Sequence, residues 1–157
     1  MKHDESALVK QALREAREQL QARGRIFPAT YMLVRNNPQT GAPLTNLTAV
    51  GTTRDAPFAK PEELAEFLAQ LRTEIARLGA VAVALSGEAE AEIESGSDGA
   101  STPTKRRRVW YVRIEDSQGV EQLHAAIEPD GKGGHRVGKL LADAGAVDML
   151  DSPLLSH

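Results

Sequence analysis

The chain has 157 residues, a net charge of −3, a sequence isoelectric point near 5.8 and no cysteine. One domain of this length buries roughly 70% of its unfolded-chain surface, so a core can form without disulfides. The lack of cysteine excludes thiolate nucleophiles, cysteine-ligated zinc and iron–sulfur clusters, and the acidic balance disfavours a dedicated nucleic-acid-binding protein.

The N-terminus is charged throughout, without the apolar stretch of a signal peptide. The longest apolar run, residues 80–85, is far shorter than the roughly 20 residues of a membrane-spanning helix. We therefore expect a cytoplasmic protein without membrane association, and the composition rich in Ala, Arg and Glu suggests a bacterial source.

The first predicted helix covers residues 5–23, where apolar residues recur every four positions and Gly24 suits the position after a helix. Residues 26–35 and 44–53 are predicted to form two strands, because β-branched and aromatic residues flank a turn-rich stretch. Pro28 near the start of the first of these strands predicts a free sheet edge there.

A second helix is predicted from Pro61, which suits a first helical position, to just before Gly79. Its apolar residues fall on one continuous face, which predicts packing across a sheet. They are Leu64, Phe67, Leu68, Leu71, Ile75 and Leu78.

The remaining chain predicts a hairpin of two strands, residues 80–93 and 105–115, joined by a mobile loop at 94–105 that lacks large apolar residues. A fifth strand follows at 120–128. Residues 137–150 are interpreted as a possible last helix. Residues 1–150 are predicted to form a single domain, followed by a frayed C-terminal tail over residues 151–157.

These elements predict an α+β domain, with a five-stranded, mainly antiparallel sheet and the helices on one face. The order is helix, two strands, helix, three strands and a possible last helix. This order resembles that of the roadblock and longin/profilin-like group of small domains. The resemblance implies dimerisation, scaffolding of partners and often no catalysis.

An acidic strand is followed by a basic one across the hairpin. Glu88, Glu90 and Glu92 fall on one strand face, where a carboxylate row can hold a hard cation or act in acid–base chemistry. The row is similar to the E-x-D-x-E strand of one glycoside hydrolase group, with Glu90 in place of Asp. A simpler interpretation is a ladder of ion pairs with residues 106–108.

The basic strand alternates in the same way. Arg107, Tyr111 and Arg113 share one face and are predicted to form a small exposed cationic patch, while Trp110 points into the core under the second helix. His124 lies within the fifth predicted strand, on its half-exposed face. These observations make Arg107, Tyr111, Arg113 and His124 the candidate binding residues.

Residues 133–140 match the glycine-rich phosphate-loop pattern, in which backbone N–H groups surround phosphates and a Lys reaches the terminal ones. Leu140 stands where that loop needs Ser or Thr for magnesium. A glycine-rich turn containing a Lys is the simpler interpretation.

We therefore expect a non-enzymatic binding module that forms a homodimer or binds a protein partner and needs no cofactor. One alternative is a small metal-dependent hydrolase using Glu88, Glu90 or Glu92 with His124. Another is a phosphate-binding or nucleic-acid-binding accessory protein using Arg107, Arg113 and the turn at residues 132–139, although the net charge makes nucleic acid an unlikely partner.

Overall fold

The computed structural model describes residues 3–54, 56–94, 104–142, 150 and 154–155, and the side chains of 7–54, 56–90, 107–141, 150 and 154–155. This part of the chain holds two helices and seven strands. They are α1 (His3–Arg23), β1 (Ala29–Asn36), β2 (Pro43–Thr53), α2 (Pro61–Leu78), β3 (Ala82–Glu94), β4 (Thr104–Asp116), β5 (Gly119–Pro129), β6 (His135–Val137) and β7 (Leu141–Ala142).

The strands form one sheet in the order β2-β1-β3-β4-β5-β6, with β7 also paired to β5, and every pairing is antiparallel. The predicted α+β class and antiparallel sheet are confirmed, but the count of five strands is wrong. The difference is β6, which overlaps the segment predicted as a last helix only at Val137, and β7, which lies within that segment. Residues 143–149 of that predicted helix lie outside the described residues.

The two helices cover opposite faces of the sheet, which corrects the prediction that they share one face. One core cluster joins α1 to the sheet and contains Tyr31 and Trp110, whereas the other joins α2 to Met32 and Val34. Trp110 therefore lies on the α1 face and not under α2. The cause is that β1 and β3 are apolar on both sides, so each face needs its own cover.

The position of β1 also overturns the predicted free edge at Pro28. Six successive residues of β1, from Ala29 to Val34, are buried, as expected for a strand between two layers. This strand pairs with β2 on one side and β3 on the other. The outer strand at this end of the sheet is β2.

The ends of α2 agree with the sequence prediction. Pro61 occupies its first turn, where the missing N–H costs nothing, and Gly79 follows in the left-handed conformation with φ of 62°. Leu71, Ile75 and Leu78 are buried against the sheet, while Leu64, at the start of the predicted apolar face, is 38% exposed. The C-terminal half of α2 thus does most of the packing.

Leu154 and Leu155 pack in the same core cluster as α2 and are both buried. At these two residues the prediction of a frayed tail is wrong. The predicted loop at 94–105 is shorter than expected, because β3 runs to Glu94 and β4 begins at Thr104; its residues 95–103 lie outside the described part. Neither described helix has the length and apolar character needed to cross a bilayer.

Candidate functional site

The predicted binding residues of β4 and β5 do share one face of the sheet, the face that α2 covers. Tyr111 pairs with His124 across the ladder, and Arg113 pairs with Gln122. Arg107 lies toward the hairpin loop and is exposed. The alternation predicted from the sequence is therefore confirmed by the register, whereas a binding role for these residues stays a prediction.

Arg113 is buried and does not belong to an exposed patch, which corrects that part of the prediction. Its Nη1 lies 2.9 Å from Oε1 of Glu115, and both side chains are fully buried. A charge removed from water in this way is tolerated only when a partner of opposite charge and further hydrogen bonds surround it. The pair is thus a structural feature of the core, and Arg113 is not available to a phosphate in solution.

Glu115 also holds the C-terminal segment. Its Oε1 accepts a hydrogen bond from the backbone N–H of Leu154 at 3.0 Å, and its Oε2 accepts one from the N–H of Leu155 at 2.7 Å. Sequence reasoning missed Glu115. The usable signal was its place two residues after Arg113 in a strand, which puts opposite charges on one face.

Tyr111 fills the space above a glycine on the neighbouring strand. Gly87 lies directly opposite it in the ladder, and a Cβ added at Gly87 would lie 2.9 Å from Tyr111 Oη. Burial raises the pKa of the Tyr111 hydroxyl. The residue is therefore a packed, neutral phenol at physiological pH, although His124 lies beside it across the ladder.

The predicted carboxylate row lies on the opposite face, the one that α1 covers. Glu88 forms a bidentate ion pair with Arg108, whose Nε and Nη2 donate to Oε2 and Oε1 of Glu88, each at 2.8 Å. Glu88 also accepts the N–H of Ile26 at 3.1 Å, and Arg108 donates to the carbonyl oxygen of Gly24 at 2.7 Å. The ladder interpretation is confirmed for this pair, which ties the end of α1 to the hairpin.

This pairing sets the charge state of Glu88. Burial opposes ionisation, but the hydrogen bonds from Arg108 and Ile26, with the positive charges of Arg108 and Arg25, outweigh it and lower the pKa of Glu88. The same contact raises the pKa of Arg108. A carboxylate held ionised in an ion pair is poorly suited to donate a proton in catalysis.

The structure does not bring His124 to the carboxylates, as the hydrolase alternative needs. Glu88 is opposite Trp110, on the α1 face, whereas His124 is opposite Tyr111, on the other face. Glu90 is exposed, and the side chain of Glu92 lies outside the described residues. Within the described ranges, no group of three His, Asp or Glu side chains is placed to hold a metal ion.

The glycine-rich turn has an internal acid where a phosphate would sit. Oδ1 of Asp130 accepts the backbone N–H groups of Lys132 and Gly134, at 2.7 and 3.0 Å. These two hydrogen bonds, with the nearby His135, lower the pKa of Asp130. A carboxylate at this position repels an anion, so the turn is a capped connection and not a phosphate loop.

The outer edge of β2 is the surface that the sequence did not single out. It runs over eleven residues, most of them exposed, and β2 pairs only with β1 in the described sheet. It contains no charged residue, and Leu47 is 44% exposed. Proteins usually protect such edges with charges, internal prolines or bulges. Residues 44–53 have no charge and no proline, and the ladder to β1 is regular from Thr48 to Thr53, with an irregularity between Thr48 and Pro43.

The backbone groups available at this edge follow from one hydrogen bond. The N–H of Arg54 donates to the carbonyl oxygen of Pro28 at 2.8 Å, which makes these two residues a hydrogen-bonded pair of the ladder. Because such pairs alternate along antiparallel strands, Val50 directs its N–H and C=O toward β1. Gly51 and Ala49 direct theirs outward.

No protein-family model matches this chain, and no curated protein or solved structure matches it either. The likeness to the roadblock and longin/profilin-like group therefore remains one of element order.

Proposed function

We propose that the chain is a non-enzymatic binding module that self-associates, with two copies joined antiparallel along the outer edges of their β2 strands. The observation that supports this proposal best is the long, uncharged edge of β2. Pairing of two such edges satisfies the outward backbone groups of Gly51 and Ala49 and continues the sheet across the dimer.

The composition of β2 favours a second copy as the partner. In a two-fold antiparallel arrangement the strand meets its own sequence in reverse, so any charged side chain risks meeting a like charge. The eleven residues of β2 contain none.

The experiment compares proline substitutions at two neighbouring positions of β2. Ala49→Pro removes an outward N–H and leaves the β1–β2 ladder intact, since proline is tolerated on the solvent side of an edge strand. We expect the wild-type protein, with a chain mass of 16.9 kDa, to sediment as a dimer and Ala49→Pro to sediment as a folded monomer. Circular dichroism and a thermal melt check the fold.

Two control variants accompany Ala49→Pro. Ala49→Ser keeps the N–H and should remain dimeric, whereas Val50→Pro removes an inward N–H of the ladder and should destabilise the monomer itself by about 1–3 kcal/mol. A wild-type protein that stays monomeric at every concentration contradicts the proposal. So does an Ala49→Pro variant that dimerises as well as the wild type.

A further inference from the structure

A second surface lies at the other end of the sheet, where α1 passes beside β6. The two elements border a groove of about 560 Å³ with a basic lining and an apolar floor. Leu13, Leu20 and Val137 form the floor. The basic residues are Lys10, Arg14, Arg17 and Arg136, and His135 and Glu18 also line the groove.

The helix contributes a row of positive charges along one of its sides. Lys10, Arg14 and Arg17 follow one another at spacings of four and three, so they lie on one side of α1 over about 10 Å. All three are exposed, and none forms an ion pair with an acid among the residues whose side chains are described. Glu18 is the single acid among the described lining residues.

The strand that borders the groove has backbone groups at its outer edge. The N–H of Gly138 donates to the carbonyl oxygen of Ala126 at 2.8 Å, which fixes the phase of the ladder between β5 and β6. Because hydrogen-bonded pairs alternate, His135 and Val137 direct their N–H and C=O away from β5. In the described sheet β6 is a terminal strand, so no further strand of that sheet forms hydrogen bonds with these N–H and C=O groups.

We propose that this groove binds an extended acidic peptide segment of a partner protein, which adds as a strand to the outer edge of β6 with its carboxylates against the basic row of α1. The spacing fits this ligand. Alternate residues of a strand are about 6.6 Å apart, and one step of four residues along a helix rises about 6 Å, so successive carboxylates can reach Lys10 and Arg14.

The distribution of charge favours a peptide over a small anion. An inorganic phosphate is bound where several donors converge on one point, whereas these cations are spread along the groove. The apolar floor offers cover for aliphatic side chains that alternate with the acids. The groove belongs to one chain and lies at the opposite end of the sheet from β2, so this inference does not depend on dimerisation.

The test is fluorescence anisotropy with a labelled ten-residue peptide of alternating Glu and Val, added to the full chain at low salt. The same peptide with Lys in place of Glu is the ligand control. We expect binding of the acidic peptide alone, and a loss of about tenfold or more in affinity for the double variant R14E/R17E. The control K60E reverses a charge on an exposed residue just before α2, outside the groove, and should change affinity less than about twofold.

Strand addition is tested separately at His135, whose side chain is exposed and whose N–H points outward. His135→Pro removes that N–H and should weaken binding by about fivefold or more, whereas His135→Ala keeps it and should bind within about twofold of the wild type. Thermal melts of both variants confirm that they are folded.

Three results would overturn the inference. The first is a wild-type protein that binds neither peptide or both equally. The second is a His135→Pro variant that is folded and binds normally, which leaves only a diffuse cationic surface. The third is displacement of the peptide by inorganic phosphate or by a thymidylate oligonucleotide at the concentration needed for the unlabelled peptide, because either shows a general anion site.

Discussion

Two tyrosines of this protein each occupy the space over a glycine on the neighbouring strand. Tyr31 faces Gly51 on the α1 side and Tyr111 faces Gly87 on the other side. A Cβ added at Gly51 would lie 2.8 Å from the Tyr31 ring. Burial and the negative charge of the adjacent Glu15 raise the pKa of Tyr31, so this phenol stays neutral in its packed position. Each glycine therefore serves the packing of an aromatic ring.

The first residue-scale prediction concerns Gly87. Gly87→Ala should lower the free energy of unfolding by about 1–3 kcal/mol, because the new methyl group displaces the Tyr111 hydroxyl. In a Tyr111→Ala background the same substitution should cost clearly less, since the obstructing ring is gone. Urea unfolding of the four proteins of this cycle measures the coupling, and additive costs would contradict the explanation.

The second prediction concerns pH and Glu88. Its pKa is lower in the folded protein than the ordinary value of 4.5, so its ion pair stabilises the fold above that pH, and the contribution is lost as the pH falls through the folded pKa. Glu88→Gln should therefore be less stable than the wild type at neutral pH and approach it under acid conditions. A stability difference that stays constant between pH 7 and the acid range would refute this.

At the scale of elements, the ion pairs connect segments that are distant in sequence. Arg108 and Glu88 attach the end of α1 to the hairpin, and Glu115 attaches the C-terminal segment to β4. Charged residues of β3 and β4 therefore have structural roles on both faces of the sheet: Glu88 and Arg108 on one, Arg113 and Glu115 on the other. The two proposed binding surfaces lie at the two ends of the sheet.

The prediction at this scale tests the attachment at Glu115. Glu115→Ala leaves Arg113 buried beside an empty space and releases the N–H groups of Leu154 and Leu155, so it should cost about 3–5 kcal/mol. Glu121→Ala, at an exposed position on β5, should change stability by less than about 0.5 kcal/mol. Urea midpoints of the two variants provide the comparison. Equal midpoints would show that the contacts of Glu115 do not stabilise the fold.

The elements that could be predicted from sequence are those determined locally. Pro61 and Gly79 mark the ends of α2, and the period-two alternation of β3 and β4 assigns their faces correctly. Long-range contacts decide the rest. No local pattern states that α1 and α2 take opposite faces, or that Arg113 and Glu115 enter the core as a pair. The strands β6 and β7, of three and two residues, are too short to give a periodic signal.

At the scale of the whole molecule, the sheet ends differently on its two sides. One side presents β2, of eleven residues and regularly paired from Thr48 to Thr53, and the other is divided between β6 and β7. A two-fold joining of β2 edges uses the long edge of both copies at once. The outer strands of that assembly are β6 and β7, of three and two residues, which offer a further sheet far fewer backbone groups than β2 does. In the proposed dimer, the asymmetry of the sheet therefore opposes growth into fibres, because the two long edges pair with each other and only short edges remain outside.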